Sequence, residues 1–165
     1  TNTPFWESTT KGIQMGEGST FFALSKNPNN KSLACIEGVQ TLYKPKTSND
    51  ILSKLNTFLS LHNLTLNDID VTLMGFSSDS EFDNKLQEIK PIIEKESSIA
   101  YFKHLSGEFH TASSFALWLA TKLIEKQALP KSITITGNSN GSIKHVLILN
   151  QYLGINYSFT LVSKI

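Results

Sequence analysis

The 165-residue chain has one cysteine, Cys35, and no arginine; all fifteen of its basic residues are lysine. A single cysteine excludes an intrachain disulfide framework and any metal site built on paired thiols. Without arginine, the chain lacks the side chain that usually grips phosphates and base edges in bidentate fashion. With a net charge of +1 and no basic block, nucleic acid is not an expected partner. No apolar run approaches the roughly 18 residues that a membrane span requires. The first residues, TNTPFWESTTKG, also lack the basic-then-apolar plan of a signal peptide, so a cytoplasmic protein without membrane contact is expected. What is present, 39% hydrophobic and 18% charged residues, suits one domain over 1–165 with a real core. Cys35 lies in the apolar run LACIEGV and reads as a buried core thiol.

The organising stretch is FKHLSGEFHTASSFALWLA, where the β-rich run SSIAYF breaks and the longest helical pattern opens. Phe109, Ala112, Ser113, Ala116, Ala120 and Leu123 recur at three- and four-residue spacing, which predicts a central helix over about 107–127. Its first half is small on several sides, as suits a helix buried between two layers. Upstream, GIQMGEGSTFFALS predicts a strand over 12–25, NPNNK a turn, and SLACIEGVQTLY a second strand with a bulge or close approach at Gly38. A helix from Asp50 to His62, capped by Ser48 or Asn49, precedes the strand VTLMGF. A helix from Glu81 to Lys95 follows, with Pro91 expected to bend or split it. SITITG and HVLILNQYL read as a hairpin joined by NSNGS, and SFTLVSKI as the last strand. The order β-β-α-β-α-β-α-β-β-β implies an α/β fold with a mixed sheet covered by helices.

GEGSTFFALS, LNDIDVTLMGFSSDSEFD, YFKHLSGEFHTASSFAL and YLGINYSFTLV occur in an order that resembles the C-terminal half of β-ketoacyl synthases. The resemblance covers nearly the whole chain. It implies a thiolase-like half-fold with a mixed five-stranded sheet, in which 12–25 is a strand of the N-terminal half's sheet. In that family a cysteine of the N-terminal half carries the acyl chain, and two histidines polarise the thioester carbonyl. Placed on those motifs, Met74 stands for the first histidine, with Gly75 matching and Phe76 and Ser78 replacing threonines. Lys103 and Gly107 match at the second junction, but Glu108 stands where the second histidine belongs. Methionine has no hydrogen to donate to an oxyanion, and a carboxylate repels a developing enolate. Asn156 and Gly154, in the run YLGIN, occupy the place of the family's glycine-rich loop and are candidate substrate contacts.

The pattern is similar to that of chain-length factors, the degenerate partners of active ketosynthases in polyketide and aryl-polyene pathways. It implies a non-catalytic subunit that shapes an acyl tunnel, with an active ketosynthase or an N-terminal half-fold and an acyl carrier protein as partners. A dimer is expected, and neither a cofactor nor a metal. The competing reading is an active condensing enzyme or acyltransferase in which Lys103, Glu108 or His110 moves protons. A third is a free-standing binding module on a borrowed half-fold.

Each candidate also has a structural reading. Lys103 and Glu108 can form an ion pair, and Glu108 in a first helical turn would suit the helix dipole. His110 reads as a satisfied polar core residue, and Asp79, Glu81 and Asp83 as caps and first-turn acids. On the half-fold reading the helix from Gly107 exposes an apolar face and the chain completes its fold against another polypeptide or a second copy.

Overall fold

The computed structural model describes residues 4–137 and 141–165. The first regular strand is β1 (Cys35–Tyr43), and α1 (Ser48–Leu61) follows it. The cap of α1 is Thr47, not Ser48 or Asn49: its hydroxyl accepts from Asp50 N–H while the Asp50 carboxylate accepts from Thr47 N–H. Asp50 in the third helical position is what makes this reciprocal box, and the box outcompetes a cap one residue later. Then come β2 (Val71–Gly75), α2 (Asn84–Ile93), β3 (Ser98–Tyr101), the short α3 (Lys103–Ser106) and α4 (Ala112–Lys126). The chain ends with β4 (Thr134–Thr136), β5 (His145–Tyr152) and β6 (Asn156–Ser163). Pro91 does not split α2, because it lies in the last turn, where few bonds remain to lose.

These strands form one mixed sheet of six, in the order β1-β6-β5-β2-β3-β4, rather than five. β5, β2 and β3 run parallel, while β1, β6 and β4 are antiparallel to their neighbours. Alternation along the strands supplies two cores. Met74, Leu147, Leu149 and Phe159 face α1 and α2 and meet Ile51, Leu55, Leu86 and Ile93. Val71, Leu73, Val146, Ile148 and Val162 face α4 and meet Ala112, Ala116, Ala120 and Leu123. Each large side chain so buried contributes about 1.5–3 kcal/mol. The central strand β2 is buried at every residue, as a parallel strand covered on both faces should be.

Several expectations change. Residues 12–25 form no strand; their one ladder contact is the isolated parallel bridge between Met15 and Glu108. A strand needs a neighbouring backbone, and among the described residues none pairs with 17–25 to supply one. β4 and β5 do not form a hairpin: β4 pairs with β3 at one sheet edge, and β5 lies between β2 and β6. Residues 138–140 of the NSNGS loop lie outside the described residues. The hairpin is instead β5–β6, turned by Leu153 and Gly154, both at positive φ (55° and 64°). Helix α4 starts at Ala112 rather than Gly107, because Gly107 at φ 73° ends α3 and Glu108 is engaged in the bridge. Cys35 is exposed, not buried, since it begins an edge strand beside a bulge between Ile36 and Gly38. The bulge and the close approach read at Gly38 are present: a Cβ there would meet the His62 ring at 2.5 Å.

Candidate functional site

The three parallel strands β5, β2 and β3 end on the same side, and their ends with the chain that leaves them carry the buried charged residues among the described residues, Asp79, Asp83, Lys103 and Glu108. β2 leads to Ser77, β3 to Lys103, and Gln151 sits near the end of β5. Carboxyl ends of parallel strands are where open α/β sheets commonly place their ligand sites.

Lys103 is fully buried, and its Nζ donates to Glu108 Oε2 at 2.5 Å and to the Gln151 carbonyl oxygen at 2.7 Å. Glu108 reaches it because Gly107 turns the chain at positive φ and the N-terminal segment pins the backbone. Glu108 N–H donates to the Gln14 carbonyl at 2.8 Å, and Gly16 N–H donates to the Glu108 carbonyl at 3.0 Å. Gly16 and Gly107 pack backbone to backbone: a Cβ on Gly16 would lie 1.9 Å from the Ser106 carbonyl oxygen. Only glycine permits that approach.

Asp83, also buried, accepts the Ser77 N–H at 2.9 Å from each carboxylate oxygen, the Ser77 hydroxyl at 3.0 Å and the Gln151 amide at 2.8 Å. Gln151 closes the network, its Oε1 accepting the Gly154 N–H at 2.8 Å. Burial pushes the Asp83 carboxyl up, against the opposing pull of Ser77, Lys103 and Gln151. Burial likewise pushes the Lys103 ammonium down, while Glu108 and then Asp83 hold its proton in place. One cation faces two buried carboxylates, bonded to Glu108 and acting on Asp83 through space. Two of the three Lys103 N–H groups have acceptors, the Ser77 hydroxyl is spent on Asp83, and none of these groups is open to solvent. Such a cluster can order the strand ends.

Lys103 and Glu108 come together as the ion pair, and Glu108 stands ahead of α4 rather than in its first turn. Met74 is fully buried and packs in the core beneath α1 and α2, where its thioether offers no donor. His110 is exposed, contrary to the core reading, because the helix begins only after it; its Nε2 lies 3.4 Å from the Tyr152 hydroxyl. Asn156 is exposed at the start of β6, while Gly154 is in the hairpin turn against Phe82. Asp79 accepts backbone N–H groups from Gly12, Glu81 and Phe82. His104 stacks on Tyr101 with ring centroids 3.7 Å apart and donates from Nε2 to the Ser132 carbonyl at 3.1 Å. The roles of Gln151, Ser77 and Asp83 in the network were not legible in the sequence. The one signal was Gln151, a polar residue at an apolar-face position of HVLILNQYL.

No family model matches the chain, and no curated protein does. Solved structures do. The PfaC ketosynthase–chain-length factor superposes with a TM-score of 0.63 at 18% identity, over 84% of this chain and 14% of that one. A type II polyketide ketosynthase, solved with its acyl-carrier protein and bound to a hexaketide, gives 0.63 at 15% identity, over 81% and 39%. The ketosynthase from module 6 of the bacillaene synthase of Bacillus subtilis gives 0.62 at 10% identity, over 81% and 30%. The chain thus spans well under half the length of each of these structures. At these identities the likeness concerns fold, and the fold of this chain is that of part of a ketosynthase or chain-length factor, a thiolase-like α/β half-fold.

Proposed function

We propose that the chain is a non-catalytic ketosynthase-like subunit of fatty acid or polyketide synthesis, a class that includes the aryl-polyene pathways. It supports an active ketosynthase and shapes the acyl tunnel, with an acyl carrier protein as the third partner. The observation that carries this reading is the buried ion pair of Lys103 and Glu108, closed to solvent at the position where the family resemblance places a catalytic histidine. Fully buried Met74 at the other histidine position supports it, since two hydrogen-bond donors to a thioester oxyanion are replaced by groups that cannot donate there. Its work is then packing and pocket shape.

The test uses malonyl-loaded acyl carrier protein and an acyl-loaded acyl carrier protein. Incubated with the chain alone, they are expected to give no acyl adduct by intact mass and no carbon dioxide release. Incubated with the chain and an active type II ketosynthase subunit, they are expected to give condensation whose product length depends on the chain. Decarboxylation or an acyl adduct with the chain alone would overturn the non-catalytic reading. Product length that is the same with and without the chain would overturn the tunnel-shaping one.

A further inference from the structure

Residues 4–16 cross the carboxyl ends of β2 and β3 as an irregular strap that begins with one turn of 3-10 helix, Phe5–Glu7. The strap is fastened at both ends. At the first, Phe5 and Trp6 lie against Tyr101, at the end of β3, with ring centroids 6.3 and 4.4 Å away, and the Gln87 amide of α2 donates to the Trp6 carbonyl. At the second, Glu108 forms its two backbone hydrogen bonds with Gln14 and Gly16, where Gly16 packs on Gly107. Between these points the Ser80 N–H donates to the Thr10 carbonyl at 3.0 Å, and Gly12, at φ 129°, aims its own N–H at Asp79 Oδ2, 2.6 Å away. No residue of the strap is itself buried, and its ion pair, Lys11 with Glu81, is an exposed one of the kind that contributes little.

We propose that residues 4–16 open and close over the charged strand ends while the rest of the domain stays folded, with Phe5 and Trp6 as the latch. What the strap touches is charge: Asp79 and Glu108 are 5% and 2% exposed, and Lys103, bonded to Glu108, is not exposed at all. Closing the strap takes these groups out of water, which costs free energy, and two half-buried aromatic rings and a few hydrogen bonds hold it down against that cost. Segments with few buried apolar contacts open at free energies below that of global unfolding. When the strap lifts, Gly12 leaves Asp79, and Gln14 and Gly16 leave Glu108. The Lys103–Glu108 pair then meets solvent, and the Lys103 amine comes within reach of solutes. Access to the ends of β2 and β3 is therefore controlled by a segment that the sheet itself does not need.

The test reads the Lys103 amine in the whole chain with no ketosynthase or acyl carrier protein present, so its outcome is independent of the proposed function. The chain is treated with a water-soluble acetylating ester and each lysine is followed by peptide mass spectrometry, while amide exchange at Ala116 and Ala120 in α4 records global unfolding. Lys103 is expected to react far more slowly than the exposed Lys26 and Lys131. Its opening equilibrium, taken from that ratio, is expected to exceed that of the α4 amides on the order of tenfold or more and to change little in low urea. Trp6→Ala, which removes the ring packed on Tyr101, is expected to speed Lys103 acetylation on the order of tenfold with α4 exchange unchanged. Acetylation of Lys103 that tracks α4 exchange across the urea series would overturn the proposal, because only global unfolding would then expose the amine. That series on the unaltered chain decides even where Trp6→Ala fails to fold. A folded Trp6→Ala chain with an unchanged Lys103 rate would overturn it as well, since the aromatic end would not be the latch.

Discussion

The ends of β2, β3 and β5 hold charge inside the molecule, whereas the segment that lies outside the sheet, residues 18–34, holds apolar side chains in solvent. Lys103, Glu108 and Asp83 are buried, yet Phe21 and Leu24 are 94% and 77% exposed. Between that segment, α4 and the last residues runs an apolar groove of about 720 Å³ that includes Phe22, Leu33, Trp118 and Ile165. The contrast teaches where folding free energy resides. Buried charges are tolerable only when every partner is in place, so their cluster is sensitive to single changes. Exposed apolar groups contribute little to the fold of one chain and can be changed at small cost.

The most severe break should come from the buried pair. Glu108→Ala leaves a buried ammonium with one carbonyl and a more remote carboxylate, and should cost about 3–5 kcal/mol. Urea unfolding measures this, and the double variant Lys103→Met/Glu108→Leu should cost less than Glu108→Ala alone. A cost below 1 kcal/mol would mean that the pair is solvated. Gly16→Ala drives a Cβ into the Ser106 carbonyl and should release the N-terminal segment from Glu108. About 1–3 kcal/mol of destabilisation is expected, with faster amide exchange at Gly16 and Glu108.

Tyr157 sharpens the comparison in the other direction. Its hydroxyl is buried without a partner, and burial, reinforced by Asp83 and Glu88, pushes its pKa up to about 12. A folded-state pKa above the unfolded value contributes stability that is fully present below about pH 10 and is lost as pH rises through about 12. Near neutrality the phenol is neutral in both the folded and the unfolded state, so the shift has no effect there, and Tyr157→Phe should stabilise by about 1 kcal/mol for a separate reason, the removal of an unpaired buried hydroxyl. It should also remove the added loss of stability between those pH values, followed by chemical denaturation across the alkaline range. The smallest effect belongs to the exposed segment: Phe21→Ser and Leu24→Ser should shift stability by no more than about 0.5 kcal/mol. A loss above 1 kcal/mol in either would show that the segment is packed in solution.

Local pattern fixed much of this. The apolar stripe of α1, the small face of α4 and the runs that became β2, β3 and β5 are short-range signals, and each element formed within a few residues of its expected bounds. The Lys103–Glu108 pair was legible because both residues lie on one junction. What the sequence could not decide was pairing between distant backbones. SITITG and HVLILNQYL look like a hairpin, but β5 gains more by inserting between β2 and β6, where both its edges and both its faces are covered. TFFALS has every local feature of a strand and forms none, because a strand is a relation between two backbones and no described residue pairs with it. Gln151 likewise gains its meaning only when the ends of three strands meet and its carbonyl, amide and side-chain oxygen find Lys103, Asp83 and Gly154. Residue order determined which elements form and which of their faces are apolar. Their neighbours, and so the burial of charge at one end and the open edge at β1, were decided only by the tertiary structure, because hydrogen bonds across a sheet and desolvation of charge are properties of assembled surfaces.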